Sequence, residues 1–405
     1  MFDINKVRKD FPILHQTLYK RPVVYFDNAA TTQKPQVVID TMVEFLTKHN
    51  SNIHRGVHYL SEKMTEAYES ARNTVKQFIN AKHAYEIIFT SGTTDSINLL
   101  AFSFGEAFVS EGDEIVVSYM EHHSNIVPWQ MLCERKNARL KVLPITYTGE
   151  LDLSAINYVV TERTKLIAIT HVSNSMGTIN PIKEIIRYAH NRNIPVMIDG
   201  AQGIQHQHVD VQELDCDFYV FSGHKIYGPT GIGVLYGKEE WLEKIPPYKG
   251  GGDMIKTVTF EKTTYNNLPF KFEAGTTNFI GAIGLAAALK YLCGLGKDNI
   301  LHYEHYLYNY ALKKIQSVEG IRIIGTSDNK TSIISFLLDK IHPFDTGMML
   351  DKMDIAVRTG NHCTQPLMKY FGIDGTVRAS LTFYNTEEEV DYFVESLIKV
   401  KELFS

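Results

Sequence analysis

Short apolar runs alternate with amphipathic stretches through the middle of the chain. The runs at 87–89, 115–117, 166–169, 196–198 and 218–221 are of strand length and show no polar alternation, the pattern of strands buried on both faces. Helical periodicities lie between them, such as 182–191, which follows Pro181 as a first-turn proline. Strands alternating with helices predict an α/β fold with a largely parallel sheet between helices. Ligands of such sheets collect at loops beyond the carboxyl ends of the strands.

Beyond Gly294 the pattern changes. Residues 301–318 read as a long helix, and 321–324 and 332–338 read as strands. Residues 386–403 read as an amphipathic helix opened by Thr386, with glutamates in its first turn. The expectation is a large domain over 26–294 and a smaller α+β domain made of 295–405 with residues 1–25 packed on it.

Composition narrows the function classes. The 405 residues are 44% hydrophobic and 21% charged, with a net charge of -5, so nothing calls for nucleic acid or an anionic membrane. Cys133, Cys216, Cys293 and Cys363 form no close pair, which argues against a structural zinc site and a disulfide framework and for a reducing compartment. Residues 1–14 hold Asp3, Lys6, Arg8, Lys9 and Asp10 and no apolar h-region, and no run is suited to spanning a bilayer. A cytoplasmic protein with its start intact is expected.

The candidate chemistry gathers at predicted strand ends. Lys225 follows the run 218–221 within Ser222, Gly223, His224 and Lys225; it is either a Schiff-base lysine or a solvated loop lysine. Asp199 ends the run 194–198 and precedes Gly200, Ala201 and Gln202; it can pair with a pyridinium nitrogen or cap a helix. Ser91, Gly92, Thr93 and Thr94 open a helix after 87–89, offering free N–H groups to a phosphate or simply capping the helix. Glu121, His122 and His123 follow 115–118, and an imidazole there can stack on a flat ring and move protons, or belong to a polar loop or, less readily for adjacent histidines, a metal site. His54 with Arg55, and Arg378 within 376–380, are candidates to clamp a carboxylate, or form surface ion pairs. Cys363 lies in a loop between Gly360 and Pro366, where Arg358 and His362 can favour its thiolate, or it is an ordinary exposed thiol. Cys133 and Cys293 read as packing residues in helices, and Cys216 as inert.

Taken together, these segments resemble the SUF-type (group II) cysteine desulfurases, of the class V branch of fold-type I pyridoxal-phosphate enzymes. The likeness runs from Tyr25, Phe26, Asp27, Asn28 and Ala29 to Tyr384, Asn385 and Thr386. It is most specific over 215–233, and Glu273, Ala274, Gly275 and Thr276 also carry it. Asn361 and Thr364, beside Cys363, depart from residues common in the family, as do Ser175 and Met176.

The resemblance implies a seven-stranded sheet in the large domain and roles at matching positions. Lys225 would hold pyridoxal 5'-phosphate, Asp199 its ring nitrogen and Gln202 its phenolic oxygen, and His122 would stack on the ring. Thr93, Thr94, Ser222 and His224 would hold the phosphate, joined by Thr276 of a neighbouring subunit in a homodimer with shared sites. Arg378 would bind the substrate carboxylate with Asn174 nearby, and Arg358 would stand at the mouth. L-cysteine would become alanine, with Lys225 taking the Cα proton, Cys363 taking the sulfur as a persulfide and His122 shuttling protons. A small acceptor protein of the SUF system would carry the sulfur to iron–sulfur cluster assembly. A selenocysteine lyase acting on L-selenocysteine, a sulfide-releasing β-lyase and a cofactor-binding scaffold are the alternatives.

Overall fold

The apolar runs become the inner strands of one seven-stranded sheet. In chain order its strands are β1 (Ile87–Thr90), β2 (Glu114–Ser118), β3 (Arg139–Leu143), β4 (Thr164–Thr170), β5 (Val196–Asp199), β6 (Phe218–Ser222) and β7 (Gly233–Gly237), arranged β1-β7-β6-β5-β4-β2-β3. Only β7 runs against the rest, pairing antiparallel with both β1 and β6. It follows β6 without a crossover helix, and a parallel partner would need one. β7 also passes very close to the next loop: a Cβ on Gly233 would lie 2.4 Å from Gly92 Cα, so only glycine fits there.

Both faces of this sheet are covered, which explains the unbroken apolar runs. Alternate residues enter two separate cores: Val116, Ile198, Tyr219 and Phe221 on one face, and Ile115, Val117, Met197, Phe218 and Val220 on the other. The computed structural model describes residues 3–404.

A second, antiparallel sheet follows: β8 (Ile321–Ile324), β9 (Ile333–Leu338), β10 (Arg358–Gly360) and β11 (Thr376–Ser380), in the order β8-β9-β11-β10. Helices Lys297–Gln316 and Glu387–Leu403 pack on it through Leu307, Phe393 and Leu397. Thr386 opens the last helix in a full capping box with Glu389.

The helix predicted to begin at Leu301 begins at Lys297. Gly296, at φ 84°, ends one helix and starts the next, and the polar turn Lys297, Asp298, Asn299 carries no apolar periodicity to reveal it. Pro181 is the N-cap of helix Ile182–His190 and not its first residue.

The N-terminal stretch touches both units. Val24–Tyr25 pairs in parallel with Ile355–Ala356, and Arg8 bonds Glu389. The Phe11 ring, however, packs against Tyr227 and Tyr291 as well as Phe383 and Tyr384. Residues 1, 2 and 405, assigned above to the smaller domain, lie outside the described residues. Among the described residues no single helix is long and apolar enough to cross a membrane.

Candidate active site

The carboxyl ends of β1, β2, β4, β5 and β6 open into a cavity of ≈ 310 Å³. Loops after these strands bring in Thr93, Thr94, His122, Asn174, Asp199, Gln202, Ser222, His224 and Lys225. The β10–β11 region closes the other side with Arg358, His362, Cys363 and Arg378.

Lys225 is half-buried at the cavity wall, and desolvation lowers its pKa against the pull of the Asp199 carboxylate. A lysine so placed has an accessible neutral amine. Asp199 is buried at the end of β5, where burial raises its pKa and the N–H of Ala201, donated to Oδ1 at 3.0 Å, lowers it. A carboxyl buried here favours a cationic partner, which would stabilise its charged form. Gln202 donates Nε2–H to the Ala29 carbonyl at 2.6 Å, while its Oε1 is buried without a donor.

Helix Thr93–Phe108 starts at the cavity wall with no side-chain cap. The Thr93 amide donates to Ser222 Oγ at 2.8 Å, the Thr93 hydroxyl pairs with the same oxygen at 2.8 Å, and the Thr94 and Ser124 hydroxyls pair at 2.7 Å. Hydroxyls grouped at a helix N-terminus form a cradle suited to a phosphate. An amine, a buried carboxylate, an orphan amide oxygen and this cradle, all in one cavity, fit pyridoxal phosphate.

The His122 ring is kept neutral: burial drives its pKa down to about 3, with Lys225 adding to the effect. Its Nδ1 accepts the Ser124 amide at 3.1 Å, so the ring proton sits on Nε2. Behind it lies Glu121, which sequence reasoning left without a role. The buried Glu121 accepts the Thr170 amide at 3.0 Å, Asn125 Nδ2–H at 2.7 Å and the Ser118 hydroxyl, tying the β2 loop to the end of β4.

Burial pushes the Glu121 carboxyl up to about 8, against those three donors. Between its ordinary value of 4.5 and about 8 the folded protein therefore holds a proton that the unfolded chain has released. The stability this contributes is full below that window, falls as pH rises through it, and is gone above. In urea unfolding, the Glu121→Gln protein should gain on wild type steadily across the same window. A difference independent of pH would refute this ionisation.

Arg378 is buried at the cavity's far wall, and burial lowers its pKa to about 10. It donates to the Asn174 carbonyl at 2.8 Å and to Asp27 at 3.2 Å, while its Nε–H has no partner. That free donor suits a substrate carboxylate. Asp27, also without a predicted role, takes Arg358 as well, through Nε at 3.1 Å and Nη2 at 2.9 Å. The Asn174 amide donates to the His362 carbonyl at 2.8 Å, joining the β4 loop to the Cys363 loop.

Three expectations need correction. His54 and Arg55 do not reach this chain's cavity: His54 pairs with Glu69 and packs on Phe270, while Arg55 pairs with Asp253 at 2.6 Å. Thr276, expected at a neighbouring subunit's phosphate, is exposed and lies outside its own chain's cavity. His362 cannot favour a thiolate by charge, because burial beside two arginines drives its pKa to about 2. Cys293 is exposed, since it falls in the last turn of helix Phe279–Leu295 on the outward side. Cys133 and Cys216 are buried as expected, and Cys363 is exposed.

A family model described as class-V aminotransferase matches residues 24–393. The chain is 50% identical over 404 residues to a cysteine desulfurase of Escherichia coli (strain K12), covering 100% of this chain and 99% of that one. It is 49% identical over 400 residues to one from Synechococcus elongatus, covering 99% of this chain but 64% of that longer protein. A crystal structure of the cysteine desulfurase CsdA (S-sulfonic acid) from Escherichia coli superposes with a TM-score of 0.93 at 38% identity, covering 100% of this chain and 99% of that one. An apo cysteine desulfurase from Thermococcus onnurineus also gives 0.93, at 39% identity over 98% of both chains.

Proposed function

The chain belongs to the class-V aminotransferase family, among its pyridoxal-phosphate-dependent cysteine desulfurases, and from that premise we propose that it converts L-cysteine to L-alanine by taking the sulfur onto Cys363. One observation carries this reading: Cys363 lines the cavity that encloses Lys225, yet is exposed to solvent. A thiol placed so can take sulfur inside and pass it on outside.

Lys225, Asp199 and Gln202 would hold the cofactor's reactive end, His122 its ring, and Thr93, Thr94, Ser222 and His224 its phosphate. Pyridoxal phosphate, when bound, supplies an electron sink for the pair released at the substrate Cα. Arg378 binds the substrate carboxylate through its free Nε–H, with Asn174 fixing the adjoining loop and Arg358 guarding the mouth. The Lys225 amine takes the Cα proton. Cys363 Sγ attacks the substrate sulfur; the C–S bond breaks, an S–S bond forms, and the carbon takes a proton to leave as alanine. The Nε2–H of neutral His122 is a donor available during C–S cleavage.

The persulfide then passes to a small acceptor protein, for iron–sulfur cluster assembly. A thiol that must stay reduced between turnovers suits the cytoplasm. Two features favour a homodimer with shared sites. Thr276 faces outward, and Leu46, Val57 and Tyr59 expose apolar surface at 53%, 96% and 64%.

A single-turnover reaction with L-cysteine, followed by intact-mass analysis with and without reductant, tests the proposal. One equivalent of alanine and a reductant-sensitive gain of one sulfur are expected, with the sulfur absent in Cys363→Ala. Alanine without the adduct would sink the role of Cys363. The same loaded protein should sediment as a dimer, and a monomer would refute shared sites.

A further inference from the structure

Of the adjacent pair His122 and His123, only the first lines the cavity. His123 turns the other way and grips the loop that carries Cys363. Its backbone amide donates to the Cys363 carbonyl at 2.8 Å. Its ring Nε2 accepts the backbone amide of Gln365 at 3.0 Å. A backbone N–H can only donate, so Nε2 is the acceptor and the ring proton sits on Nδ1. Burial lowers the pKa of this ring, which keeps it an acceptor at neutral pH.

The second bond does what the loop cannot do for itself. Gln365 opens helix Gln365–Phe371, whose first amides have no partner within the helix. Thr364 is the N-cap residue, of a type that ordinarily accepts one of them, but its side chain makes no capping bond. Its hydroxyl instead donates to the Asn361 carbonyl at 2.8 Å and pairs with Ser175 at 2.6 Å. The helix is therefore capped from the large unit, by His123.

The loop also needs external support. His362 and Cys363 are both left-handed, at φ 51° and 58°, a conformation costly for residues other than glycine. Such backbone persists only where its surroundings over-determine it. Asn174 holds the His362 carbonyl, Ser175 holds Thr364, and His123 holds Cys363 and Gln365 on either side of that residue.

We propose that His123 is a positioning residue for Cys363: its imidazole caps the helix that follows the cysteine, so that cavity-facing His122 and the sulfur acceptor share one rigid mount. The functional half of this inference rests on Cys363 being the sulfur acceptor; the capping half does not.

The test compares His123→Ala with His123→Gln, whose amide oxygen can stand in for Nε2, in the pyridoxal-phosphate-loaded protein. His123→Ala should keep the cofactor absorbance and the KM for L-cysteine, while persulfide formation on Cys363 slows roughly tenfold, the scale of a small misplacement of a reacting group. Hydrogen exchange over residues 360–368 should quicken about fivefold, the worth of one ordinary hydrogen bond. His123→Gln should restore both. Wild-type rate and exchange in His123→Ala would overturn the proposal, and so would a slowing that His123→Gln does not restore or that comes with lost cofactor absorbance. A wild-type protein that gains no sulfur on Cys363 would instead refute the desulfurase chemistry, and the cap would then stand or fall on the exchange alone.

Discussion

Replacing Lys225 by alanine should reduce alanine production from L-cysteine by about 10²–10⁴-fold or more, the range for loss of a positioned general base alone. Lys225→Arg should be as inactive. Lys225 lines the cavity half-buried and desolvation lowers its pKa, so what it offers is an amine that can lose its proton, form a bond and take a proton. Arginine preserves the charge beside Asp199 but cannot lose its proton, and so supplies neither. Loss of the absorbance of the lysine-linked cofactor in both variants, with folding intact by circular dichroism, would complete the expected result. Turnover by Lys225→Arg within tenfold of wild type would show that the site needs a charge here and not an amine.

The largest expected effect on stability lies behind the cavity. Arg72 is buried and donates to Glu273 twice, at 2.7 and 2.9 Å, to the Ile87 carbonyl at 2.8 Å and to Glu69 at 3.0 Å. The Glu273 carboxylate also accepts the Tyr68 hydroxyl and the Phe89 amide, each at 2.8 Å. Helix Tyr59–Phe78, β1 and the turn after Glu273 all meet at this pair. Glu273→Ala leaves a buried guanidinium with only the half-buried Glu69 for a counter-charge and should cost about 3–5 kcal/mol in urea unfolding. The double replacement Arg72→Met with Glu273→Leu removes both charges and should recover much of that loss. A Glu273→Ala protein within about 1 kcal/mol of wild type would mean that Glu69 alone suffices to hold Arg72. Because Thr276 lies three residues beyond Glu273, loss of this anchor should also loosen the segment proposed to reach a neighbouring subunit.

Both predictions concern residues that were visible in the sequence to different degrees. Lys225 and Asp199 each follow an unbroken apolar run, and a strand buried on both faces leaves its next polar residue at the sheet's ligand-binding edge. Thr93 and Thr94 could be read the same way, since β1 is followed directly by a helix. Arg72 could not: it stands in the middle of a helix with ordinary charged neighbours, and its burial depends on Glu273, two hundred residues away by chain. Asp27 and Glu121 were missed for a similar reason. A carboxylate beside a motif looks like any solvated carboxylate until the partners that enclose it are known.

The charge states of the histidines were equally hidden. His362 sits two residues from Gly360 and one from Cys363, where a sequence reading makes it a cation aiding the thiolate. Its enclosure beside Arg358 and Arg378 makes it neutral. His54 and Arg55 resembled a carboxylate clamp by composition, but Glu69 and Asp253 take them elsewhere in this chain.

By itself, then, the sequence determined the sheet, the order of its central strands along the chain, the strand ends where chemistry gathers and the loop bearing an unpaired cysteine. These follow from hydrophobic period and local turn chemistry, which act over a few residues. Only the tertiary structure decided which of the candidate residues share a cavity, which of them are charged there, and that His123 and not Thr364 caps the helix behind Cys363. Those outcomes depend on burial and on hydrogen-bond partners far away in the chain, and desolvation of a charged or polar group is a property of everything that surrounds it.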